Sequence, residues 1–260
     1  MSWHGLCFAL FLKPSIFVVF HLRMIIWTLA TGDESILEKG LIQLASTVLS
    51  KDEISRAQRF QFVPDRNRFI LAHALCRAML SSQGEHEPSL WEFDREIHGR
   101  PYVTNSQLPM DFNLSHTCGM VGCAISALGR VGFDLENCQR SVDYARLAEK
   151  KFSKTESNDV LSLSGQKQRE QFFRYWTLKE SYIKLTGKGL REALDKFSFD
   201  LTGTQPACQI KGRSQEQLGF GLFSAGNIHQ AAWAIESDVR EARQPEIIQL
   251  DLKAFEEMLT

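Results

Sequence analysis

The sequence lacks the patterns that mark several common classes of protein. Its six cysteines, spread over 260 residues, include no C-x-x-C pair, so neither a disulfide framework nor a cysteine zinc site is predicted. The formal net charge is −1 and no basic patch with interleaved aromatics occurs, which argues against bulk attraction to nucleic acid or to a membrane surface. No low-complexity segment is present. The chain is long enough for one large domain or two small ones.

The apolar N-terminal stretch, residues 3–27, matches neither a membrane span nor a signal peptide well. The residues that interrupt it are Lys13, Pro14, His21 and Arg23. It also lacks a positively charged start followed by a small-residue cleavage site. Met24 opens the segment MIIWTLATGD, which is predicted to form the first strand of the fold. We therefore interpret residues 1–23 as extra translated sequence ahead of the fold, with a membrane anchor as the alternative.

The segment FFRYWTLKESYIKLTGKGL, residues 172–190, places a charge on the apolar face of a predicted helix. The stripe consists of Phe172, Phe173, Trp176 and Ile183. Glu180 falls within that stripe, where a carboxylate is costly unless a cation or hydrogen bonds hold it. Lys184 follows one turn later, and Gly187 and Gly189 can end the helix without a Cβ penalty. A core position used for a charge favours a functional site, although Glu180 and Lys184 alone also fit an ordinary surface pair.

The segment VGFDLE, residues 131–136, is predicted to be a strand with one apolar face. Asp134 and Glu136 are two residues apart, so they point to the same side, opposite the apolar residues. Two carboxylates this close repel unless a cation joins them, and a hard ion such as Mg²⁺ or Mn²⁺ suits them better than zinc. If Glu180 faces this strand, three carboxylates and Lys184 converge, a set suited to metal-assisted chemistry on phosphate. Taken alone, an Asp-x-Glu pair is more often a solvated strand edge.

These segments, in this order, resemble the Sfp-type 4'-phosphopantetheinyl transferases. The family's G-x-D-x-E strand, W-x-x-K-E-x-x-x-K helix and following G-K-G-L are matched by Gly132, Asp134, Glu136, Trp176, Lys179, Glu180, Lys184 and residues 187–190. Its N-x-S-H and G-K/R-P elements and the arginine that opens the first long helix are matched by Asn113, Ser115, His116, Gly99, Arg100, Pro101 and Arg68. KKFSKTES, residues 150–157, resembles the family's link between the two main motifs. The pattern departs at Phe133, where Ile or Val is usual, and at Arg100, where Lys is common.

The resemblance implies an enzyme of the holo-[acyl-carrier-protein] synthase type. Such an enzyme moves the 4'-phosphopantetheine group of coenzyme A to a serine of an apo acyl or peptidyl carrier protein and releases adenosine 3',5'-bisphosphate. It implies that Asp134, Glu136 and Glu180 bind Mg²⁺ or Mn²⁺. Glu180 is also the candidate base, and Lys184 would hold the pyrophosphate. The carriers of fatty acid, polyketide and peptide synthesis are not distinguished by the sequence.

The resemblance also implies a set of groups that bind the nucleotide of coenzyme A. Ser115 and His116 would meet the 3'-phosphate and the nucleotide, and Arg68 and Arg100 would clamp phosphates. Arg56 is a further candidate, aligned only by its spacing before Phe60. Read without the resemblance, His116 is a turn histidine and the arginines are solvated charges. Lys179 is expected to serve structure or charge balance, and Trp176 to pack against the sheet.

The predicted elements divide the chain into two halves, residues 24–130 and 131–260. Helices are predicted at 36–50, 51–82 with Asp65 as N-cap, 141–150, 154–164 and 167–186. Strands are predicted at 91–95, 101–103, 111–115, 120–126, 130–136, 196–201, 207–211, 218–223 and 229–236, with a strand and a short helix in the tail. Each half is helices packed on a small antiparallel sheet, an α+β pattern, and the resemblance implies a pseudo-twofold arrangement with the site between the halves.

Two other function classes stay open from the residues alone. A metal-dependent nuclease or phosphatase also uses Asp, Glu and Lys, although nucleases of that type commonly place the lysine two residues after the glutamate on a strand. The third class is a non-catalytic protein that binds coenzyme A or carriers. For the transferase we expect a cytoplasmic monomer that binds neither nucleic acid nor membrane.

Overall fold

The computed structural model describes residues 24–189, 192–210, 216–239 and 244–260. The predicted extension, residues 1–23, and Leu190 of the G-K-G-L match lie outside the described residues. Within the described ranges, no helix is both long enough and apolar enough to span a membrane.

The first half of the chain contains five strands and three helices. They are β1 (Met24–Ala30), α1 (Lys39–Thr47), α2 (Lys51–Ala57), α3 (Val63–Ser81), β2 (Phe93–Arg95), β3 (Pro101–Val103), β4 (Asp111–Thr117) and β5 (Met120–Ser126), with a short 3-10 helix at Pro88–Leu90. The second half begins at β6. Its elements are β6 (Arg130–Asn137), α4 (Tyr144–Lys151), α5 (Lys154–Leu161), α6 (Gly165–Thr186), β7 (Phe197–Asp200), β8 (Ala207–Ile210), β9 (Leu218–Ala225), β10 (His229–Glu236), β11 (Glu246–Leu250) and α7 (Leu252–Leu259), with a 3-10 helix at Leu194–Lys196.

The two halves repeat one topology. In the first, β1 precedes the long helix α3 and the hairpin β4–β5, and the strands pair antiparallel in the order β1-β5-β4. In the second, β6 precedes the long helix α6 and the hairpin β9–β10, and the antiparallel order is β6-β10-β9. α3 packs on β4 and β5, while α6 packs on β6 and β10. The predicted α+β fold of two similar halves is confirmed.

The two sheets meet through a shared apolar core. Its buried members include Met24, Ile26, Met120, Ala124, Val131, Phe133, Leu135, Ala231, Trp233 and Ile235. The apolar face of β6 predicted from the sequence points into this core. The other face of β6, with Gly132, Asp134 and Glu136, is left to α6.

Gly132 allows α6 to approach β6 closely. A Cβ atom at this position would lie 2.0 Å from the carbonyl oxygen of Ser181 on α6, a distance that no side chain tolerates. The helix therefore lies directly on the strand that carries the two carboxylates. Gly187 ends α6 in the left-handed conformation at φ 70°, as predicted.

The edge strands β4 and β6 are joined through side chains of β4. The backbone N–H groups of Val131, Phe133, Leu135 and Asn137 donate to the side chains of Asp111, Asn113, Ser115 and Thr117 at 2.7, 2.9, 3.1 and 3.2 Å respectively. An edge strand otherwise leaves such groups without ladder partners. This side-chain ladder fixes the register between the halves and brings Ser115 beside Asp134.

The helix predicted over residues 51–82 and its predicted N-cap differ in the structure. The helix predicted over 51–82 is two helices, because Pro64 lacks the N–H that a continuous helix needs and restricts the residue before it. α3 begins instead with Phe62 as N-cap and Pro64 in its first turn. Asp65 therefore lies inside the first turn and is not the N-cap.

The tail, which the predicted boundaries placed with the second half, packs on the first half. β11 pairs in parallel with β1 and completes a four-stranded sheet in the order β11-β1-β5-β4. Phe255 of α7 is fully buried in the core of the first half. The tail thus covers the edge of β1 that does not pair with β5.

Candidate active site between the two halves

The centre of the candidate site is a contact between Lys184 of α6 and two residues of the edge strands. Lys184 Nζ donates to Asp134 Oδ1 at 2.7 Å and to Ser115 Oγ at 2.8 Å. Ser115 Oγ in turn donates to Asp134 Oδ1 at 3.1 Å and accepts the Leu135 N–H at 3.1 Å. The two halves therefore both contribute to one buried polar cluster.

Asp134 keeps one oxygen without a hydrogen-bond partner among the described residues. The residue is buried, and its Oδ2 is one of three buried side-chain polar atoms that lack a partner among the described residues, beside Trp27 Nε1 and Thr28 Oγ1. It is the charged member of that group. A buried carboxylate oxygen without a partner is costly, so this atom fits a cation ligand.

Glu136 is held by Trp176 and Arg140. The indole Nε1 of Trp176 donates to Glu136 Oε1 at 2.9 Å, and Arg140 Nη2 lies 3.4 Å from the same oxygen. Burial and the repulsion of Asp134 raise the pKa of Glu136 to about 7, against the opposing effects of Arg140, Trp176 and Lys184. Trp176 was expected only to pack; it stacks on Phe172 with ring centroids 5.6 Å apart and also orients this carboxylate.

Glu180 shares the electrostatic environment of Asp134. It is half-buried on α6, and burial together with the charge of Asp134 raises its pKa, while Lys184 acts in the opposite direction. Among the described residues, no three His, Cys, Asp or Glu side chains form a group that could hold a metal ion. The charge of Asp134 thus acts on both Glu136 and Glu180, but the three predicted carboxylates do not form a closed ligand cluster in the described part of the chain.

His116 lies on β4, next to Ser115, and part of the residue is exposed to solvent. The surrounding protein atoms desolvate its imidazolium, and Lys184 and Arg68 repel it, so its pKa is lowered to about 4. His116 is therefore neutral at pH 7. A bound anion would favour the protonated form.

Arg68 of α3 is held in place by two carboxylates. Its Nε and Nη2 lie 3.3 Å from the two oxygens of Glu34, and Nη1 lies 3.2 Å from Asp65 Oδ1. Sequence reasoning missed Glu34, which follows β1 in a loop without helical or strand periodicity. Only its contacts across the fold distinguish it from a surface glutamate.

Arg100 is engaged with protein groups and does not present a free fork to the cleft. It is buried, pairs with both oxygens of Asp111 at 2.9 and 2.8 Å, and donates to the carbonyl oxygens of Lys184 and Val131. Four of its five N–H donors are thereby used. These contacts support a role in joining the end of α6 to the edge strands rather than the predicted phosphate clamp.

Arg56 lines a cavity of about 450 Å³ in the first half together with Glu53, His73 and Arg95. Its guanidinium lies 5.4 Å from the centroid of Phe69. Burial and the charge of Arg95 lower the pKa of Arg56. The contacts described for Arg56 include none to Lys184, Asp134 or Ser115.

Lys179 of α6 is fully buried. Its Nζ donates to the carbonyl oxygens of Leu194 and Phe197 at 2.7 Å and pairs with Glu156 at 2.8 Å. This agrees with the structural role expected from the sequence.

Comparison with known proteins agrees with this architecture. A family model described as "4'-phosphopantetheinyl transferase superfamily" matches residues 130–235, and one described as "4'-phosphopantetheinyl transferase, N-terminal" matches residues 38–127. The chain is 37% identical over 172 residues to 4'-phosphopantetheinyl transferase HetI of Nostoc sp. (strain PCC 7120 / SAG 25.82 / UTEX 2576), covering 65% of this chain and 72% of that protein.

Two Bacillus proteins are also similar in sequence to this chain. The 4'-phosphopantetheinyl transferase psf-1 of Bacillus pumilus is 34% identical over 171 residues, which cover 65% of this chain and 71% of that protein. The 4'-phosphopantetheinyl transferase Sfp of Bacillus subtilis (strain 168) is 33% identical over 154 residues, 59% of this chain and 66% of that protein.

Proposed function

Because the chain belongs to the 4'-phosphopantetheinyl transferase superfamily, we propose that it transfers the 4'-phosphopantetheine group of coenzyme A to a serine of an apo acyl or peptidyl carrier protein. The observation that carries this proposal is the contact of Lys184 with Asp134 and Ser115 across the two halves. The contact brings the Lys184 ammonium beside Asp134, whose charge also acts on Glu136 and Glu180. Together with a divalent cation held by these carboxylates, such a set would suit a negatively charged pyrophosphate substrate.

The residues of the cleft fit a bound Mg²⁺ ion, with Mn²⁺ as an alternative. Mg²⁺ is commonly bound by one or two carboxylates, with waters and substrate phosphates completing its shell. Asp134 offers an oxygen that has no partner in the part of the chain that the structure describes, and its charge acts on both Glu136 and Glu180. When bound, the ion would neutralise charge on the pyrophosphate.

Lys184 is proposed to hold the pyrophosphate. Its ammonium group is already fixed by Asp134 and Ser115 and remains partly exposed to the cleft. In the reaction, the serine oxygen of the carrier bonds to the phosphorus that bears pantetheine. The bond from this phosphorus to the bridging oxygen breaks, and adenosine 3',5'-bisphosphate leaves with that oxygen.

Glu180 is proposed to accept the proton of the carrier serine. Burial and the charge of Asp134 raise its pKa, which makes it a stronger base than an exposed glutamate. Its place on the helix that also carries Lys184 would keep the base and the phosphate-binding cation in fixed relation.

Arg68 and His116 are proposed to bind the 3'-phosphate of coenzyme A. Arg68 carries a permanent positive charge, and the imidazole of His116 can take up a proton beside an anion. Ser115 is proposed to contribute mainly through Asp134 and Lys184, since its hydroxyl is engaged with them. Arg56 and Arg100 remain weaker candidates for nucleotide contacts.

Finer features of the function rest on the sequence resemblance. They are activity of the holo-[acyl-carrier-protein] synthase type, a monomeric state and a cytoplasmic location. Size-exclusion chromatography with light scattering tests the monomeric state.

The proposed function is tested by incubating the chain with coenzyme A, Mg²⁺ and a panel of apo carriers from fatty acid, polyketide and peptide synthesis. Intact-mass spectrometry should show one added phosphopantetheine group on at least one carrier. Asp134→Ala should be inactive, while Asp200→Ala, at an exposed carboxylate at the end of β7, should be fully active. Cleavage of nucleic acid without carrier modification would support a nuclease, and binding of coenzyme A without transfer would support a non-catalytic binder.

A further inference from the structure

Glu34 is a buried carboxylate that joins three separate segments. Thr31 Oγ1 donates to its Oε1 at 2.7 Å, and the backbone N–H of Gly119, in the turn after β4, donates to the same oxygen at 2.8 Å. Arg68 of α3 meets both carboxylate oxygens at 3.3 Å. The loop after β1, the β4–β5 turn and the long helix of the first half therefore meet at one side chain.

The ionised state of Glu34 is maintained in this environment. Its side chain is 2% exposed. Burial opposes ionisation, but the hydrogen bonds from Arg68, Thr31 and the Gly119 N–H outweigh burial and lower the pKa. The hydrogen bonds described for its carboxylate are all donated by neighbouring groups. A neutral amide in its place would therefore set an N–H₂ group against one of these donors.

The two carboxylates beside Arg68 differ in what they can do. Glu34 holds Nε and Nη2 from the protein interior, whereas Asp65 meets Nη1 with a side chain that is 43% exposed. An anion that enters the cleft can displace an exposed partner far more readily than a buried one. The side of the guanidinium that faces Glu34 is therefore fixed, and the side that faces Asp65 is exchangeable.

Glu34 also acts on the strand that carries His116. Its bond to Gly119 anchors the turn that directly follows β4, and Thr31 N–H donates to the Gly119 carbonyl oxygen at 3.0 Å. His116 lies three residues before Gly119. One carboxylate thus fixes the guanidinium and the strand end from which the imidazole projects.

We infer that Glu34 is a positioning residue for phosphate recognition, which sets Arg68 and the end of β4 in the geometry that binds the 3'-phosphate of coenzyme A. The inference rests on the proposed function in taking coenzyme A as the ligand and Arg68 and His116 as the groups that bind its 3'-phosphate. Glu34 itself would not touch the ligand, because it lies behind Arg68.

The test uses calorimetric binding of coenzyme A and of dephospho-coenzyme A, which lacks the 3'-phosphate, to the full chain with Mg²⁺ and no carrier. Glu34→Gln should weaken coenzyme A binding about tenfold or more and leave dephospho-coenzyme A nearly unchanged. Asp65→Asn removes the same charge from the other side of Arg68 and should leave coenzyme A binding equal or tighter. If charge alone mattered, both variants would tighten binding.

An Arg68→Ala background separates positioning from general damage to the fold. There Glu34→Gln should not change the ratio of the two affinities further, since the group it positions is absent. If Glu34→Gln does not fold, Thr31→Val, which removes one bond to the same carboxylate, should shift the ratio in the same direction by a smaller factor.

The outcomes distinguish the inference from the proposed function. A wild-type chain that binds coenzyme A and dephospho-coenzyme A equally would overturn the 3'-phosphate site and the inference with it. A wild-type chain that prefers coenzyme A, with Glu34→Gln keeping that preference, would overturn the inference alone. Equal loss of both ligands in Glu34→Gln would likewise show a role in the fold instead of in phosphate recognition.

Discussion

The hydroxyl of Ser115 donates a hydrogen bond to Oδ1 of Asp134 across the boundary between the two halves, at 3.1 Å. Ser115 also caps the Leu135 N–H and accepts a bond from Lys184. Because Lys184 binds the same Oδ1, this oxygen of Asp134 accepts two hydrogen bonds, whereas Oδ2 has no partner among the described residues. Ser115, which belongs to the ladder that joins the halves, therefore also orients the Asp134 carboxylate so that Oδ2 can bind a cation.

Ser115→Ala should reduce both stability and transfer. The Leu135 N–H would lose its partner, which costs about 1–3 kcal/mol for a buried donor, and Asp134 and Lys184 would lose a shared contact. Thr117→Val is the matched control. It removes the hydrogen bond from the Asn137 N–H to Thr117 Oγ1, which belongs to the same ladder, and it leaves the contacts of Asp134 intact. Denaturant unfolding should show similar destabilisation of the two variants. The transfer rate should fall only in Ser115→Ala. Normal activity in both would contradict the positioning of Asp134 by Ser115.

Asp134→Ala should abolish transfer at physiological Mg²⁺. The change removes the partner of Lys184 and the oxygen that best fits a cation, and fewer carboxylates hold a hard ion less firmly. Activity should be followed against Mg²⁺ and Mn²⁺ concentration, and excess Mn²⁺ should restore part of the rate. Full activity of this variant with trace metal would show that the carboxylate is no ligand.

His116 should take up a proton when coenzyme A binds. Its pKa of about 4 in the free protein leaves it neutral at pH 6, and a bound phosphate would raise that pKa. Calorimetry at pH 6 in buffers of different ionisation enthalpy measures the uptake. The 3'-phosphate also titrates, so His116→Gln serves as control: wild type should take up more protons than this variant. Equal uptake would place His116 away from the phosphate.

Glu136→Gln should stabilise the metal-free fold at alkaline pH. The pKa of Glu136 is raised to about 7 by burial and by Asp134, from an ordinary value of 4.5. Because this pKa is raised in the folded state, the contribution of Glu136 to stability is fully present below pH 4.5 and is lost as the pH rises through about 7. At pH 8 with a chelator, the variant should gain roughly 1–3 kcal/mol in unfolding free energy. The gain should shrink toward pH 4.5, and a gain independent of pH would contradict the assignment.

The sequence was sufficient where local pattern determines structure. The alternation in β6 correctly predicted that Val131, Phe133 and Leu135 face the core, and Gly187 correctly predicted the end of α6. These features depend on neighbours within a few residues, which a single sequence displays directly.

The sequence was insufficient where a contact depends on the register between segments that are distant in the chain. The hydroxyl of Ser115 points to Asp134 because β4 and β6 meet with an offset of twenty residues, which no local pattern encodes. Arg100 has the chemistry of a phosphate clamp, but the fold surrounds it with Asp111 and carbonyl oxygens. Glu34 was missed for the same reason, since its partners come from α3 and from the β4–β5 turn.

The central claim is that the carboxylates of this cleft drive phosphopantetheine transfer, with Glu180 as the base. Its most direct test is single-turnover transfer to an apo carrier, measured by intact-mass spectrometry at saturating coenzyme A and carrier, for wild type and Glu180→Gln. Coenzyme A affinity, measured in parallel by calorimetry, should weaken modestly, because Asp134 and Glu136 remain. The transfer rate should fall further, on the order of a hundredfold to ten-thousandfold. Transfer by Glu180→Gln at the wild-type rate, or a loss fully restored by saturating Mg²⁺, would contradict this account.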